Sequence, residues 1–359
     1  LNVTSYILHP SFTLNGLQFE TEQELLQFAE KLTTEGDDYE IEIGVFIRQW
    51  LQEETTITVK TSGSTGSPKK IKIAKKHMIN SAKATGTYLE LPKGTEALLC
   101  LPANYIAGKM MLVRAMVLGW NLHVVAPEKD ALSQYDNDYD FVAMVPYQAF
   151  HSLDVLHKVK KLIIGGGAVS EDLENALQAL PTEAYSTYGM TETISHIAMR
   201  RLNGKDRSKA YHALPNVTFS EDDRGCLVIK ADKISEEIVV TNDTVQLLSS
   251  TSFVWLGRYD NVINSGGVKI HPEVVEDKLR SEIQFPFLIA SEKDEALGEK
   301  VILVLENKEA LKIPNYTEAF QKLSQYERPK KIYTLSQFPY TETGKIKRGD
   351  VLQILKKYK

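Results

Sequence analysis

Between residues 96 and 166 the chain carries four short apolar runs, "EALLCLPA", "NLHVVAP", "DFVAMVP" and "KKLIIGG". Each has the length of a strand and is apolar without alternation, the pattern of a strand covered on both faces. Helical stretches, "AGKMMLVRAMVLG" among them and "SEDLENALQAL" after them, complete the series. Strands buried on both faces need helices above and below. The series therefore predicts an α/β fold, a large domain of mixed or parallel sheets with flanking helices.

The remainder of the chain divides around this block. "TEQELLQFAEKL" places Leu25, Leu26, Phe28, Ala29 and Leu32 on a helical stripe opened by Thr21 as N-cap, and "EIGVFIRQWLQ" predicts a second helix. From Ile57 the period changes to two: Ile57, Val59 and Thr61 alternate, then Ile71 and Ile73, which predicts two strands joined by a long turn. After about residue 215 the texture is strand-rich, in "GCLVIKA", "SEEIVVTND", "TVQLLSS" and "SFVWLGR". The tail reads as a small α+β unit. Pro272 opens a helix bearing Val275, Leu279 and Ile283, followed by the strands "PFLIAS" and "KVILVLEN", a helix near "YTEAFQKLSQY" and the strand "KKIYTL". The expected boundaries are 1–259 for the large domain, shortened at its N-terminus, and 260–359 for the small one.

Charge and cysteine usage exclude several classes. With 42 basic against 47 acidic residues the formal charge is −5, which gives no footprint for nucleic acid. The two cysteines, Cys100 and Cys226, are far apart, show no metal-ligand spacing and read as reduced core residues. "LNVTSYILHP" lacks a basic stretch followed by an apolar one, and no apolar run approaches the ~20 residues that span a bilayer. The expected compartment is the cytoplasm, with no membrane partner. The opening Leu suggests that a few residues precede the sequence given.

The turn between the two period-two strands is "TSGSTGSPKK". Gly63 and Gly66 let backbone approach an anion, Ser62, Ser64, Thr65 and Ser67 supply hydroxyls, and Lys69 supplies charge. It is not a Walker loop: Pro68 stands five residues after Gly63, Lys70 follows Lys69, and strand follows strand. A phosphate cradle and a solvated hairpin tip both remain open on local grounds.

Four further motifs follow in order: "STYGMTET" at 186–193, "TND" at 241–243, "WLGRYDNVINSGGVKIHPEVVE" at 255–276 and "TETGKIKR" at 341–348. Together with the loop they closely resemble the acyl-adenylate-forming superfamily of acyl-CoA synthetases, luciferases and adenylation domains. The resemblance spans residues 61–348. It implies an AMP-forming acid–thiol ligase: a carboxylate oxygen attacks the α-phosphorus of ATP, pyrophosphate leaves, and a thiol then displaces AMP from the acyl carbon.

The resemblance also implies roles. Thr61, Ser62, Gly63, Ser64, Thr65, Gly66 and Lys69 would cradle the β- and γ-phosphates, Thr191 would meet the α-phosphate, and Glu192 would ligate Mg²⁺. Tyr188 would stack on adenine, against Gly165, Gly166 and Gly167 of "KKLIIGGGAVS". A dinucleotide motif fails there, because Ser170 replaces its third glycine. Asp243 would hold the ribose hydroxyls, reinforced by Arg258, although Asn242 stands where the family usually has glycine. Asp260 falls at the family's hinge, Gly266 and Gly267 near the pantetheine path of coenzyme A, and Lys345 at the lysine that bridges carboxylate and α-phosphate during adenylation.

For the acid, "YGMTETISHIAMR" and the compact chain most resemble the o-succinylbenzoate–CoA ligases of menaquinone biosynthesis. Their aromatic substrate keeps a second carboxylate, for which Ser195, His196 and Arg200 are candidate donors. The bland alternative is a helix that turns Ile194, Ile197 and Ala198 inward and merely displays the others. Tyr105, in "LPANYIAG", stands where the family often has histidine, and only 60 residues precede the loop, fewer than usual. Competing readings are a ligase for another aromatic acid, an adenylation domain loading a carrier protein, and a nucleotide-binding module without catalysis. The implied small-molecule partner is a carboxylic acid, and the sequence leaves a homo-oligomer open.

Overall fold

A computed structural model describes residues 7–60, 70–340 and 346–357. Contacts divide the chain into two compact units: Leu1–Phe219 with Ile229–Val239 and Ser249–Ser252, and Ser220–Val228 with Val240–Leu248 and Phe253–Lys359.

In the first unit, a short hairpin β1 (Thr13–Leu14) and β2 (Leu17–Gln18) precedes α1 (Glu22–Glu35) and α2 (Asp38–Leu51). Thr21 caps α1 as expected, its side chain accepting from the Glu24 N–H at 3.2 Å. Strands β3 (Thr56–Lys60) and β4 (Lys70–Ala74) pair antiparallel, as the change of period predicted. Then come α3 (Lys75–Tyr88), β5 (Glu96–Leu99), α4 (Ile106–Leu118), β6 (Asn121–Val124), β7 (Tyr139–Met144), α5 (Pro146–His151), β8 (Val159–Ile164), α6 (Glu171–Ala176), β9 (Glu183–Gly189), β10 (His196–Arg201) and β11 (Ala210–Ala213).

The four apolar runs become β5, β6, β7 and β8, and all their mutual pairings are parallel. Across the sheet the order runs β11-β10-β9-β8-β7-β5-β6-β1-β2, with β8–β9 also parallel and β9–β10–β11 antiparallel. Strand order reverses at β5. The chain moves outward to β6 and returns to place β7 on the opposite side of β5, and open α/β sheets bind ligands beyond the carboxyl ends of the strands at such a reversal. One face of this region is a core of Leu98, Val142, Met144, Leu162, Ile164 and Leu173. Helix α4 is buried on all sides from Gly108 to Val117, as its almost uniformly apolar sequence requires.

In the second unit, β12 (Thr218–Glu221), β13 (Cys226–Lys230), β14 (Val239–Ser249) and β15 (Ser252–Arg258) form a ribbon in that order, with "SEEIVVTND" and "TVQLLSS" feeding one continuous strand, β14. Strands β16 (Ile263–Ser265) and β17 (Val268–Ile270) make a hairpin, followed by α7 (Pro272–Leu279), β18 (Phe287–Asp294), β19 (Gly298–Glu306), α8 (Thr317–Gln321), β20 (Lys331–Leu335) and α9 (Arg348–Lys357). Strand β19 is central. Its odd positions Val301, Leu303 and Leu305 pack with Val275, Leu279 and Ile289 on one face. Its even positions Ile302 and Val304 pack with Leu288, Phe338, Val351 and Leu355 on the other. No helix among the described residues is long and apolar enough to cross a membrane.

Candidate active site

The carboxyl ends of β8 and β9 lie side by side, since Ile164 is in register with Ser186. Gly165 leaves the end of β8 where any Cβ would stand 2.5 Å from Thr187 Oγ1 of β9, so only glycine fits. Gly166 has φ +75°, the left-handed region glycine favours. Gly167 follows in the same bend. Tyr188 is half-buried near the end of β9, its ring 5.8 Å from that of Tyr211. Flat backbone and an aromatic face are thereby presented at one edge of the sheet, a surface suited to a planar base.

Beyond Tyr188 the chain reverses sharply. At Gly189 a Cβ would meet the Ser195 carbonyl at 2.4 Å, so the two passes touch backbone to backbone. Thr191–Thr193 form one 3-10 turn, tied by the Thr193 hydroxyl to the Met190 and Ser195 carbonyls. Ile194 then adopts φ +68° and ψ −52°, with the Ser195 N–H donating to the Thr193 carbonyl at 2.7 Å. This is a γ-turn of positive φ on a β-branched residue, a conformation costing about 1–3 kcal/mol and concentrated at functional sites. It leaves Glu192 exposed while Thr193 and Ile194 are buried. Magnesium held mostly by phosphate oxygens needs only one or two protein carboxylates, and one exposed carboxylate here fits that demand. No group of three or more His, Cys, Asp or Glu forms a cage among the described residues.

"HIAMRR" is strand β10, not the helix that its apolar spacing allowed. Its residues 196–199 are buried in succession, which gives the unbroken run of a doubly covered strand. Ser195 and His196 face a group that sequence reasoning missed, Arg114 of α4. Arg114 is 2% exposed. Its Nη2 donates to Ser195 Oγ at 2.8 Å, its Nε to Thr85 Oγ1 at 3.4 Å, and its Nη1 meets only the weak acceptor Met111 Sδ at 3.7 Å. No carboxylate pairs with it among the described residues, and burial pushes its pKa down to about 9. His196 Nε2 lies 3.0 Å from Thr85 Oγ1, and burial followed by the Arg114 charge holds its pKa well below the usual value. The imidazole is neutral at pH 7.

Arg200 is differently placed. Its Nη2 pairs with Glu174 at 2.9 Å and its guanidinium lies 5.9 Å from the Tyr211 ring. Burial alone would lower its pKa, but Glu174 and Tyr211 leave it raised. Tyr105 follows β5, is 42% exposed, and precedes a close approach at Gly108, where a Cβ would strike the Pro102 carbonyl.

In the second unit Asp243 is buried on β14, its amide donating to Thr241 Oγ1 at 3.0 Å. Arg258 at the end of β15 stands between two carboxylates, 3.9 Å from Asp243 and 3.5 Å from Asp260. Asn242 is engaged as well, accepting from Arg224 at 2.8 Å and donating to Asp260 at 3.4 Å. Gly266 and Gly267, at φ +58° and +79°, are the two-residue turn of the β16–β17 hairpin, where both positions require positive φ. Thr61, Ser62, Gly63, Ser64, Thr65, Gly66, Lys69 and Lys345 lie outside the described residues.

A family model described as AMP-binding enzyme matches residues 17–220. A 2-succinylbenzoate--CoA ligase of Lactococcus lactis subsp. lactis (strain IL1403) is 26% identical over 324 residues, covering 83% of this chain and 71% of that relative. Among solved structures, an acyl-CoA synthetase (AMP-forming)/AMP-acid ligase II-like protein from Dyadobacter fermentans DSM 18053 is 37% identical, with TM-score 0.63, covering 92% of this chain and 98% of that one. An O-succinylbenzoate coenzyme A synthetase from Bacillus subtilis, solved with ATP and magnesium, shares the fold at TM-score 0.69 and 18% identity over 92% of this chain and 82% of that one.

Proposed function

This chain belongs to the AMP-binding enzyme family of AMP-forming acyl-CoA synthetases and ligases, and from that premise we propose that its acid is o-succinylbenzoate, converted to o-succinylbenzoyl-CoA. The observation that carries the substrate reading is Arg114. A buried guanidinium without a carboxylate is costly, and an anion delivered by the ligand relieves that cost. A diacid has one carboxylate to react and one to spare. The spare one takes Arg114 and the Ser195 hydroxyl, with neutral His196 and Thr85 keeping the arginine in place. A monocarboxylic acid leaves the arginine as unpaired as before.

The reacting carboxylate lies toward Thr191 and Glu192. Its oxygen bonds to the α-phosphorus as the bond to pyrophosphate breaks, and the charge that gathers there is stabilised by fixed groups rather than by covalent help. Thr191 contacts the α-phosphate and Glu192 holds Mg²⁺. Adenine rests between Tyr188 and the backbone of Gly165–Gly167, and the ribose hydroxyls are taken by Asp243 and Arg258. Thr61, Ser62, Gly63, Ser64, Thr65, Gly66 and Lys69 enclose the outer phosphates, and the Lys345 ammonium bridges carboxylate and α-phosphate. In the second step the thiol of coenzyme A, passing Gly266 and Gly267, gives up its proton, its sulfur bonds to the acyl carbon, and the bond to AMP breaks. Residues 1–259 and 260–359 act as the two domains, hinged near Asp260.

A panel of acids supplied with ATP and coenzyme A, followed by AMP release, tests the reading. Preference for o-succinylbenzoate over benzoate and phenylacetate is expected. Turnover confined to the simple monoacids would overturn the substrate while leaving the reaction type intact.

A further inference from the structure

Two glutamates of the second unit, Glu306 buried and Glu276 part-buried, have no part in binding either substrate, and each grips one flank of the same short segment. Glu306 ends β19 and is 4% exposed. Its carboxylate accepts the Tyr340 hydroxyl at 2.5 Å and the Phe338 N–H at 3.1 Å, with Lys308 at 3.5 Å. Glu276, from α7, accepts the Ile289 N–H at 2.7 Å and Arg348 Nη2 at 2.5 Å, and Arg348 Nη1 also donates to the Ile289 carbonyl. Tyr340 and Ile346 form an isolated antiparallel bridge, supported by the Lys347 N–H donating to the Pro339 carbonyl at 2.9 Å. The five residues between them in sequence are Thr341 to Lys345.

We infer that Glu306, through Tyr340, and Glu276, through Arg348, are positioning residues that fix both ends of the segment delivering Lys345 for adenylation. The inference rests on the role proposed above for Lys345. The physical case is economy of burial. A carboxylate taken from water is costly unless its lone pairs are filled, and here each glutamate gives part of that filling to one flank of the segment: Glu306 to Phe338 and Tyr340 before it, Glu276 to Arg348 after it. An apolar core alone would hold β19 and α9 together, as Ile302, Val304, Val351 and Leu355 already do. The charged clamps add direction, because hydrogen bonds to ionised groups are stronger and geometrically stricter than apolar contact. A lysine only a few residues from both clamps needs that precision, since an ångström of misplacement costs about 100-fold in rate.

The test separates the half-reactions. Tyr340→Phe removes one hydroxyl, keeps the ring, and leaves Glu306 its Phe338 and Lys308 contacts. Acid-dependent pyrophosphate exchange should fall about tenfold in kcat with KM for ATP unchanged, while thioester formation from supplied acyl-adenylate stays within about twofold. Arg348→Lys, which keeps the charge but loses the two-pronged grip, should show the same split. Equal loss of both half-reactions would mean mere structural support and overturn the inference, as would no loss in either. Lys345→Ala run alongside distinguishes the failures. If it is silent, the lysine's role falls and this inference with it; if it abolishes exchange while Tyr340→Phe and Arg348→Lys are silent, this inference alone falls.

Discussion

At Arg114 a buried positive charge on α4 has no counter-ion among the described residues, and the size of that anomaly sets the size of the expected effect. Removing one partner of a buried, hydrogen-bonded charge pair costs about 2–5 kcal/mol, at least about 30-fold in affinity. Arg114→Met, close in volume, should therefore raise KM for o-succinylbenzoate by about 30-fold or more and leave KM for ATP within about twofold. Arg200→Met is the control, because Arg200 already has Glu174. A larger effect at Arg200 than at Arg114 would transfer the diacid site to Arg200. Steady-state kinetics on both variants decide it. The sequence could not show this. In "MMLVRAMVLG" the arginine is one polar letter in an apolar helix, and its meaning comes from Ser195 and Thr85, 81 and 29 positions away. Glu192 and Tyr188, by contrast, could be singled out from adjacent residues, because the motif that proposes them is contiguous. What no local pattern conveys is the turn at Ile194, where a β-branched residue is held at φ +68° by contacts on both sides.

Among the elements, legibility followed the strength of the period. Helix α1, with its cap at Thr21, and the β3–β4 pair were written in adjacent residues and formed as expected. Strand β10 was readable as a helix because a strand covered on both faces has no period of two to display, and Ile194, Ile197 and Ala198 happen to fit a helical spacing. The glycines at the end of β8 show the opposite case, a sequence signal whose reason is visible only in the packing. A methyl group at Gly165 collides with Thr187 Oγ1, while Thr187 Cβ at 3.8 Å is an ordinary contact. Gly165→Ala should thus lower stability by about 1–3 kcal/mol in denaturant unfolding. Gly165→Ala with Thr187→Ala should recover most of it, since the clashing oxygen is gone. Failure of the second change to restore the midpoint would place the constraint in the backbone of the turn instead of in the meeting of β8 and β9.

For the whole molecule the chemistry poses a problem of timing. Attack on phosphorus and attack on carbon use one adenylate but need different groups beside it, in the proposal above Lys345 in the first step and the Gly266–Gly267 turn in the second. A chain that exchanges groups between steps needs a place to bend, and domain closure and opening commonly set such rates. Asp260 is suited to that place. It lies in a single 3-10 turn, Tyr259–Asn261, is mostly exposed, and among the described residues its carboxylate has long contacts to Arg258 and Asn242 at 3.5 and 3.4 Å. Proline at this position fixes φ and restricts Tyr259 before it, and of the groups assigned to adenylation it loses only the long 3.5 Å contact to Arg258, which keeps Asp243 at 3.9 Å. Asp260→Pro should accordingly leave pyrophosphate exchange within about twofold and slow thioester formation at least about tenfold. Exchange and thioester formation are measured separately on the same preparation. A uniform loss would mean that the substitution damages the fold around Arg258, and an unchanged thioester rate would mean that the bend lies elsewhere in the chain. The split itself matters more than its size, because a rigid enzyme has no physical reason to lose one half-reaction and keep the other when a residue remote from both reacting atoms is stiffened.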